Sequence, residues 1–319
     1  MMDDHTHLHT FSAYGGAGWQ PRSSSLREEI GVIWQPCGLN TEWARLRSVL
    51  LHRPGAELAA SSDPNAVNML AALDIPRAQS QHDAIAQAYR AAGVKVYDLE
   101  PAMLPPPNQL FLADLFFMTP EGAILARPVS SVRAGEERIV AQRLLNLGIP
   151  ILRSVSGYGT FEGADALWLD PRTVILGYGL RTNAGGASQV SNVLSEMNVE
   201  VVQVDMPIGT MHLMGMLRIA DNNLAIAWPT RLAQRAVEVL RQRGYQVALL
   251  PDEQEAKNGF ALNFVTLGPR EILMAAGNPV TQAFYERLGI KCLTVEVDEL
   301  AKAAGTIGCL TGVVQRDIV

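Results

Sequence analysis

Apolar and polar positions along the chain alternate between a period typical of helices and a period typical of strands. From about residue 43 onward, a helical stretch ends at a glycine or an asparagine and is followed at once by a short β-branched run. The examples are QAYRAAG-VKVYDL, AQRLLNLG-IPILRSV, LSEMN-VEVVQV, LRQRG-YQVALL and YERLG-IKCLTV. Glycine and asparagine readily adopt the left-handed conformation that ends a helix. The pattern therefore predicts a recurring helix–turn–strand unit.

This unit occurs five times at similar intervals. The predicted junctions are 55, 50, 46 and 45 residues apart and lie at Gly93, Gly148, Asn198, Gly244 and Gly289. Further strands are predicted at RSVLLH, AILARPV, TVILGY, NLAIAW, FVTLG and EILMAA. Repeats of this size bury their apolar faces against their neighbours. We therefore expect one compact α/β domain over residues 29–319.

A doubly wound sheet that binds a nucleotide is the alternative fold. The segment GYGLRTNAGG follows the strand TVIL and places Gly177 and Gly179 at its end, as in a dinucleotide-binding turn. Thr182 stands where the third glycine of that fingerprint belongs. No cofactor is therefore expected.

Residues 1–28 differ in composition from the rest of the chain. They are rich in histidine, glycine and serine and have no apolar period, which predicts a flexible arm. His5, His7 and His9 alternate there, but no cysteine or carboxylate pattern accompanies them, so no metal site is expected.

The overall charge limits the classes of partner. The chain has 26 Lys+Arg and 32 Asp+Glu, a formal net charge of −6, and no basic run that would follow a phosphate backbone. Nucleic acid is therefore not expected as a partner. No segment approaches the roughly 18 apolar residues of a membrane helix, so no membrane association and a cytoplasmic location are expected. Assembly into a homo-oligomer is left open.

Three cysteines, Cys37, Cys292 and Cys309, are too few and too scattered for a disulfide framework. Cys292 follows an alternating apolar pattern typical of a buried strand residue, and Cys37 is expected in a loop. Cys309 lies in AGTIGCLTGVVQRD, where glycines allow a ligand to approach the backbone closely. It is therefore a candidate nucleophile, with a buried inert thiol as the alternative.

A nucleophilic thiol needs a group that moves protons. His212 in GTMHLMGMLRI is the best candidate, because apolar residues hold it beside a predicted strand. His52, at a strand end, and His82, on a predicted helix, are the alternatives, and structural roles are expected for both. A satisfied core histidine is the alternative for His212 as well.

Three carboxylates lie in apolar segments: Asp114 in NQLFLADLFFM, and Glu162 and Asp165 in GTFEGADALWL. A buried carboxylate is costly unless a cation or several donors accompany it. Internal ion pairs or strand caps would satisfy this requirement. Taken together with Cys309 and His212, the acids favour a cationic, planar substrate.

Five segments carry a resemblance to a known group of enzymes. PNQLFLAD, FEGAD, GYGLRTN, MHLMG and TIGCLTGVVQRD occur in the order found in the guanidino-group-modifying superfamily of arginine deiminases, dimethylarginine dimethylaminohydrolases and amidinotransferases. WARLRSVLLHRPGAEL and LDIPRAQSQHDAI also resemble the opening of arginine deiminases, so the resemblance runs from about residue 42 to the C-terminus. It implies the pentein fold, a pseudo-symmetric five-bladed α/β propeller.

The resemblance implies a role for each matching position. Cys309 resembles the nucleophile, His212 the general acid and base, and Asp114 and Glu162 the carboxylates that hold the guanidinium. The positions expected to contact the remainder of a small guanidino substrate are Asn108, Arg133, Arg181, Asp165 and Met214. Met214 is a departure, because arginine deiminases have an aspartate there; an apolar side chain at this position would tolerate an N-alkyl group.

The implied activity is cofactor-free hydrolysis of arginine or an N-substituted arginine. Citrulline and ammonia or an amine would form through a covalent intermediate on Cys309. Transfer of the amidino group to an amine acceptor is the second hypothesis, and a non-catalytic propeller that binds a guanidino ligand is the third.

Overall fold

A computed structural model describes residues 5–319 and contains five small β-sheets. Each sheet has three strands. The strands are β1 (Leu46–Leu51), β2 (Lys95–Asp98), β3 (Phe116–Thr119), β4 (Gly122–Leu125), β5 (Ile151–Ser154), β6 (Ala166–Asp170), β7 (Thr173–Tyr178), β8 (Glu200–Asp205), β9 (Leu217–Asp221), β10 (Leu224–Ala227), β11 (Gln246–Leu249), β12 (Val265–Gly268), β13 (Glu271–Ala275), β14 (Lys291–Val295) and β15 (Gly312–Arg316).

The helices lie mainly between the second and third strands of these sheets. They are α1 (Leu26–Glu29), α2 (Ile75–Ala91), α3 (Glu136–Asn146), α4 (Ala184–Glu196), α5 (Gln234–Gln242), α6 (Glu253–Asn258), α7 (Pro279–Arg287) and α8 (Ile307–Leu310). In every sheet the central strand pairs antiparallel with one neighbour and parallel with the other. This repetition confirms the predicted five-bladed α/β propeller.

The five predicted helix–strand junctions are confirmed by their backbone conformation. Each junction residue has a positive φ, between 59° and 83°. In this region glycine has no steric penalty and asparagine only a small one. The chain therefore leaves each long helix sharply and enters the outer strand of the same blade within a few residues.

The first blade joins distant parts of the sequence. β1 pairs antiparallel with β15 and parallel with β2. Arg47 and Asp317, 270 residues apart, form a bidentate ion pair beside this junction with N···O distances of 2.7 and 2.8 Å. The propeller ring is thus completed by the strand that follows the Cys309 segment.

The apolar face of each helix packs against its own blade. On α2, Ala78, Ile85 and Tyr89 are fully buried, and Tyr89 donates or accepts a 2.7 Å hydrogen bond with Thr311. Burial of side chains of this size contributes on the order of 1.5–3 kcal/mol each. The helices thereby hold the sheets, and the turns between them, in fixed positions.

Residues 5–29 form short helical turns outside the propeller blades. Two 3₁₀ segments, His5–Thr10 and Ser12–Tyr14, precede α1, whose first turn is capped by Ser25. The flexibility of this arm and its boundary at residue 29 stay predictions, and residues 1–4 lie outside the described part. Within residues 5–319, no helix combines the length and apolar character required to cross a bilayer.

Candidate active site

Five short turns meet at the inner end of the blades. Each turn directly precedes the first strand of a blade, and a polar residue lies in or next to each of them: Asp114, Glu162, His212, Asn263 and Cys309. These residues follow one another at intervals of 48, 50, 51 and 46 residues. The turn at 112–114 contacts both α8 and the turn at 163–165, which in turn contacts the turn at 213–215. The repeat of the fold therefore gathers equivalent positions around one centre.

One small pocket opens at this centre. Its volume is about 30 Å³, comparable to the share of one water molecule in the liquid. It is lined by Asn68, Asn108, Phe111, Asp114, Arg133, Arg181, Met211, His212, Ala303, Ala304 and Cys309. Six of the nine positions singled out from the sequence therefore share one pocket.

The guanidinium of Arg133 is buried among three carboxylates, and we call Asp114, Glu136, Glu162 and Arg133 the acidic cluster. Nη1 of Arg133 lies 2.7 Å from Oδ2 of Asp114 and 3.3 Å from Oε2 of Glu162. Its Nε and Nη2 bond Oε2 of Glu136 at 3.0 and 2.8 Å. Burial would lower the pKa of Arg133, but the three carboxylates outweigh it and raise that pKa. Arg133 is therefore a permanent cation.

His212 forms hydrogen-bonded and electrostatic contacts with the acidic cluster. Its Nε2 is 2.7 Å from Oε2 of Glu162, and its Nδ1 is 3.7 Å from Oδ1 of Asp114. Burial would lower the pKa of His212, but Asp114 and Glu162 outweigh it and raise the pKa to about 9. His212 is therefore protonated at neutral pH and can donate a proton.

Glu162 is fully buried behind the pocket surface. Burial would raise its pKa, but the bond from His212 and the charges of His212, Arg133 and Arg181 lower the pKa to about 2. Nη1 of Arg181 bonds its other oxygen at 3.3 Å. Glu162 therefore acts on the pocket through His212 and the two arginines.

The two carboxylate oxygens of Asp114 differ in their hydrogen bonds. Oδ2 accepts from Arg133, whereas Oδ1 is buried and has no hydrogen-bond partner among residues 5–319. An unsatisfied buried carboxylate oxygen is costly and favours binding of a donor. Asp114, Glu162 and His212 also present ligand atoms within 4.8 Å of one another, but the guanidinium of Arg133 already bridges the two carboxylates and repels a metal cation.

Cys309 sits in the short helix α8 and lines the pocket. Burial, followed by the charge of Asp114, raises its pKa, while a hydrogen bond from Asn263 and the charge of Arg218 oppose the rise. Cys37 and Cys292 lie elsewhere, and burial raises the pKa of each to about 11. Of the three thiols, only Cys309 lines the pocket with His212 and Asp114.

Two predicted substrate contacts, Asp165 and Met214, lie outside the pocket lining. Asp165 accepts from the Thr182 hydroxyl at 2.6 Å and from the backbone amide of Leu213 at 3.1 Å, and it thereby anchors the turn that follows His212. Met214 belongs to that 3₁₀ turn, which directs it into a second cavity beside Arg218. Their contact with a substrate stays a prediction that the pocket lining does not support.

Asn108 and Arg133 also bond differently from what their expected role requires. Nδ2 of Asn108 donates to the carbonyl of Val67 at 2.8 Å, and Arg133 is directed to the acidic cluster. Both still line the pocket, together with Arg181.

The two alternative histidines are both remote from the pocket lining. Nε2 of His52 lies 3.0 Å from Oε1 of Glu57. His82 is buried on α2, where burial lowers its pKa to about 4. Neither histidine lines the pocket, and their structural roles stay predictions.

Sequence reasoning missed the groups behind Cys309. Asn263 contacts its sulfur, and beyond it lie Arg218, Arg316 and Glu42, which we call the rear cluster. The interval of 46–51 residues between the polar positions of the turns was a signal that could have found Asn263. The sequence around Arg218 does not indicate a role for this residue, because the role depends on contacts with residues of other blades.

Comparisons with known proteins show the family of this chain. A family model described as N,N dimethylarginine dimethylhydrolase, eukaryotic, matches residues 65–315. The N(G),N(G)-dimethylarginine dimethylaminohydrolase of Pseudomonas aeruginosa is 26% identical over 244 residues, which cover 75% of this chain and 89% of that protein.

Solved structures show the same fold. A mutant of the P. aeruginosa enzyme complexed with citrulline superposes with a TM-score of 0.71 at 22% identity, covering 86% of this chain and all of that one. The product-bound N-terminal domain of ArgZ, an arginine dihydrolase from cyanobacteria, gives a TM-score of 0.74 at 21% identity, covering 85% and 98%. The chain belongs to the dimethylarginine dimethylhydrolase family of the guanidino-group-modifying superfamily and is an amidine hydrolase acting on carbon–nitrogen bonds.

Proposed function

We propose that the protein hydrolyses the guanidinium group of N-methylated arginine, and of arginine as a second substrate, through a covalent intermediate on Cys309. The observation that carries the proposal is the pocket shared by Cys309, His212 and the unpartnered oxygen of Asp114. The free oxygen can accept an N–H of the substrate. Asp114 and Glu162 already hold one guanidinium, that of Arg133, so the chemistry of the pair suits this group.

In the first step, Sγ of Cys309 attacks the central guanidinium carbon and forms a C–S bond. The C–N bond to the departing amine then breaks, and the amine leaves with a proton from His212. The raised pKa of His212 supports this role, because the imidazolium is populated at neutral pH. The positive substrate also favours the thiolate, whose formation burial and Asp114 otherwise disfavour.

In the second step, a water molecule gives a proton to the now neutral His212 and attacks the carbon of the S-bound amidino group. The added hydroxyl group then loses its proton to solvent as the C–S bond breaks, Cys309 leaves as the thiolate, and a ureido product, citrulline, is released. Asp165 supports both steps by fixing the backbone that follows His212. Two easier steps thus replace one difficult displacement at a resonance-stabilised carbon.

A methyl group on the departing nitrogen has apolar neighbours in the pocket. Phe111, Met211, Ala303 and Ala304 contribute to its lining. The tolerance for N-alkyl groups therefore rests on these residues and not on Met214. The match to the dimethylarginine family model and to the P. aeruginosa relative supports the same choice of substrate.

The test is a product analysis by mass spectrometry. The protein is incubated with asymmetric dimethylarginine, monomethylarginine, arginine, agmatine and guanidinoacetate, each with and without an added amine. We expect citrulline and methylamines from the methylated arginines, with yields that do not depend on the amine. An amidino product that forms only when the amine is added would show that the protein transfers the amidino group and does not hydrolyse it. No product from any compound would refute the proposal.

Cys309→Ser provides the matched test of the intermediate. Wild type quenched with acid during turnover should carry a mass adduct on the Cys309 peptide, and Cys309→Ser should lack both adduct and turnover. Cys292→Ser is the control, because that thiol lies outside the pocket and its loss should leave turnover unchanged. Turnover by Cys309→Ser near the wild-type rate would remove Cys309 from the mechanism.

A further inference from the structure

Asn263 occupies the fourth of the five inner turns and contacts the sulfur of Cys309. Its Nδ2 lies 2.9 Å from Sγ, and its Oδ1 accepts from the backbone amides of Gly308 at 2.7 Å and of Cys309 at 3.2 Å. The side chain is buried, and one residue thus contacts the thiol and the helix that carries it.

These contacts fix the orientation of the amide group. The two backbone N–H groups can only donate, so the atom facing them must be the oxygen of Asn263. The nitrogen is consequently directed at Sγ and donates a hydrogen bond to it. Such a donor favours the charged form of its acceptor, here the thiolate.

Arg218 places a second favourable group behind the same helix. Its guanidinium fills the space beside Gly308, since a Cβ at that glycine would lie 1.8 Å from Nη2. Nε donates to the carbonyl of Leu262 at 3.3 Å, whereas buried Nη2 has no hydrogen-bond partner among residues 5–319. A buried cation without a close counter-ion is costly, which favours the appearance of negative charge nearby.

We propose that Asn263 and Arg218 are positioning residues for the Cys309 thiolate. Asn263 directs Sγ into the pocket through its amide nitrogen and holds α8 through its amide oxygen. Arg218 contributes a positive charge beside Gly308, the residue that precedes Cys309. The inference rests on the proposed role of Cys309 as nucleophile and adds two residues that do not contact the substrate.

Alkylation of Cys309 across pH, followed by mass analysis of its peptide without substrate, tests the proposal. Asn263→Asp keeps an oxygen for the two backbone amides but replaces the donor at Sγ with an anion. We expect the alkylation midpoint of Cys309 to rise by about one pH unit or more, which corresponds to a tenfold change in thiolate population. We also expect kcat to fall on the order of 10- to 100-fold with little change in KM.

Asn40→Asp is the matched control. Asn40 is also buried, its amide bonds the backbone of Val319 through both its nitrogen and its oxygen, and neither residue lines the pocket. It should leave the midpoint and kcat unchanged, and the Cys292 peptide serves as the internal reference thiol. An unmoved Cys309 midpoint in folded Asn263→Asp would overturn the role of Asn263.

If Asn263→Asp does not fold, the variants Arg218→Met and Arg218→Lys test the proposal independently. Loss of the charge should raise the Cys309 midpoint, and lysine should restore most of it. Equal midpoints in wild type and Arg218→Met would overturn the role of Arg218. Because alkylation needs no substrate, these results stay interpretable even if the substrate panel fails.

Discussion

The acidic cluster and the rear cluster both lie near Cys309, and they differ in whether their buried arginines are paired with carboxylates. In the acidic cluster, Arg133 has three carboxylate oxygens within 3.3 Å. In the rear cluster, Arg218 and Arg316 are equally buried, but neither has a carboxylate oxygen within 4.0 Å among residues 5–319. Arg316 bonds the carbonyls of Ala44 and Thr266 instead, at 2.8 and 2.7 Å.

This difference separates two tasks. Paired charges hold their geometry and present fixed acceptors, which suits the binding of a cation. Unpaired buried cations keep their electrostatic potential, which suits the stabilisation of an anion that appears nearby. In the proposed mechanism Cys309 becomes an anion next to a bound cation, and the two clusters would meet both requirements.

Removing a carboxylate should therefore cost more in the acidic cluster than in the rear cluster. Glu162→Gln removes the counter-charge of His212, Arg133 and Arg181, and we expect a loss of about 3–5 kcal/mol in the free energy of unfolding. Glu42→Gln should cost about 1 kcal/mol or less, because Glu42 has no ion pair within 4.0 Å among residues 5–319 and the new amide oxygen can still accept from the amide of Trp168. Urea denaturation of both variants measures the comparison, and equal losses would contradict it.

A methyl group at Gly308 should disturb the rear cluster by direct overlap. A Cβ there would lie 1.8 Å from Nη2 of Arg218 and 2.9 Å from Oδ1 of Asn263. We expect Gly308→Ala to destabilise the protein by about 1–3 kcal/mol and to slow alkylation of Cys309. Gly215→Ala is the control, since a Cβ at Gly215 meets no atom within 4 Å. Thermal unfolding of the two variants should separate them clearly.

The smallest effect concerns the pH dependence of the acidic cluster. The pKa of His212 is raised to about 9, so its ion pairs contribute stability that is complete below about pH 6.5 and lost as pH rises through 9. Glu136, whose pKa burial raises to about 7, titrates mainly below pH 8. Between pH 8 and 10 wild type should lose on the order of 1 kcal/mol more than His212→Gln. If the free energy of unfolding changes equally in the two proteins over this range, the ionisation of His212 does not contribute to the pH dependence of stability.

Local signals in the sequence predicted the repeating fold. A helix that ends at Gly93 or Asn198 needs a residue that tolerates positive φ, and this requirement is visible without any tertiary contact. The β-branched runs that follow are equally local. The assembly of five units into a ring followed from the family resemblance and agrees with the five repeats.

The candidate site was predicted only in part. The family order of segments identified Cys309, His212 and Asp114, and the structure brings them to one pocket. The 3₁₀ turn after His212 directs Met214 away from this pocket, and the spacing of residues in the sequence does not reveal this direction. The partners of Arg133 were likewise beyond sequence reasoning, because Asp114 and Glu162 lie 19 and 29 residues away in the sequence and meet Arg133 only in the folded chain.

The pairing of β1 with β15 also bears on the kinetics of folding. Contacts between residues that are 270 positions apart form late, because the entropy of closing the long loop is lost before the contacts stabilise the fold. Cys309 directly precedes β15, so the proposed nucleophile reaches its place in the pocket only as the ring closes. Recovery of activity during refolding should therefore lag behind the recovery of helical circular dichroism and report the final closure of the ring.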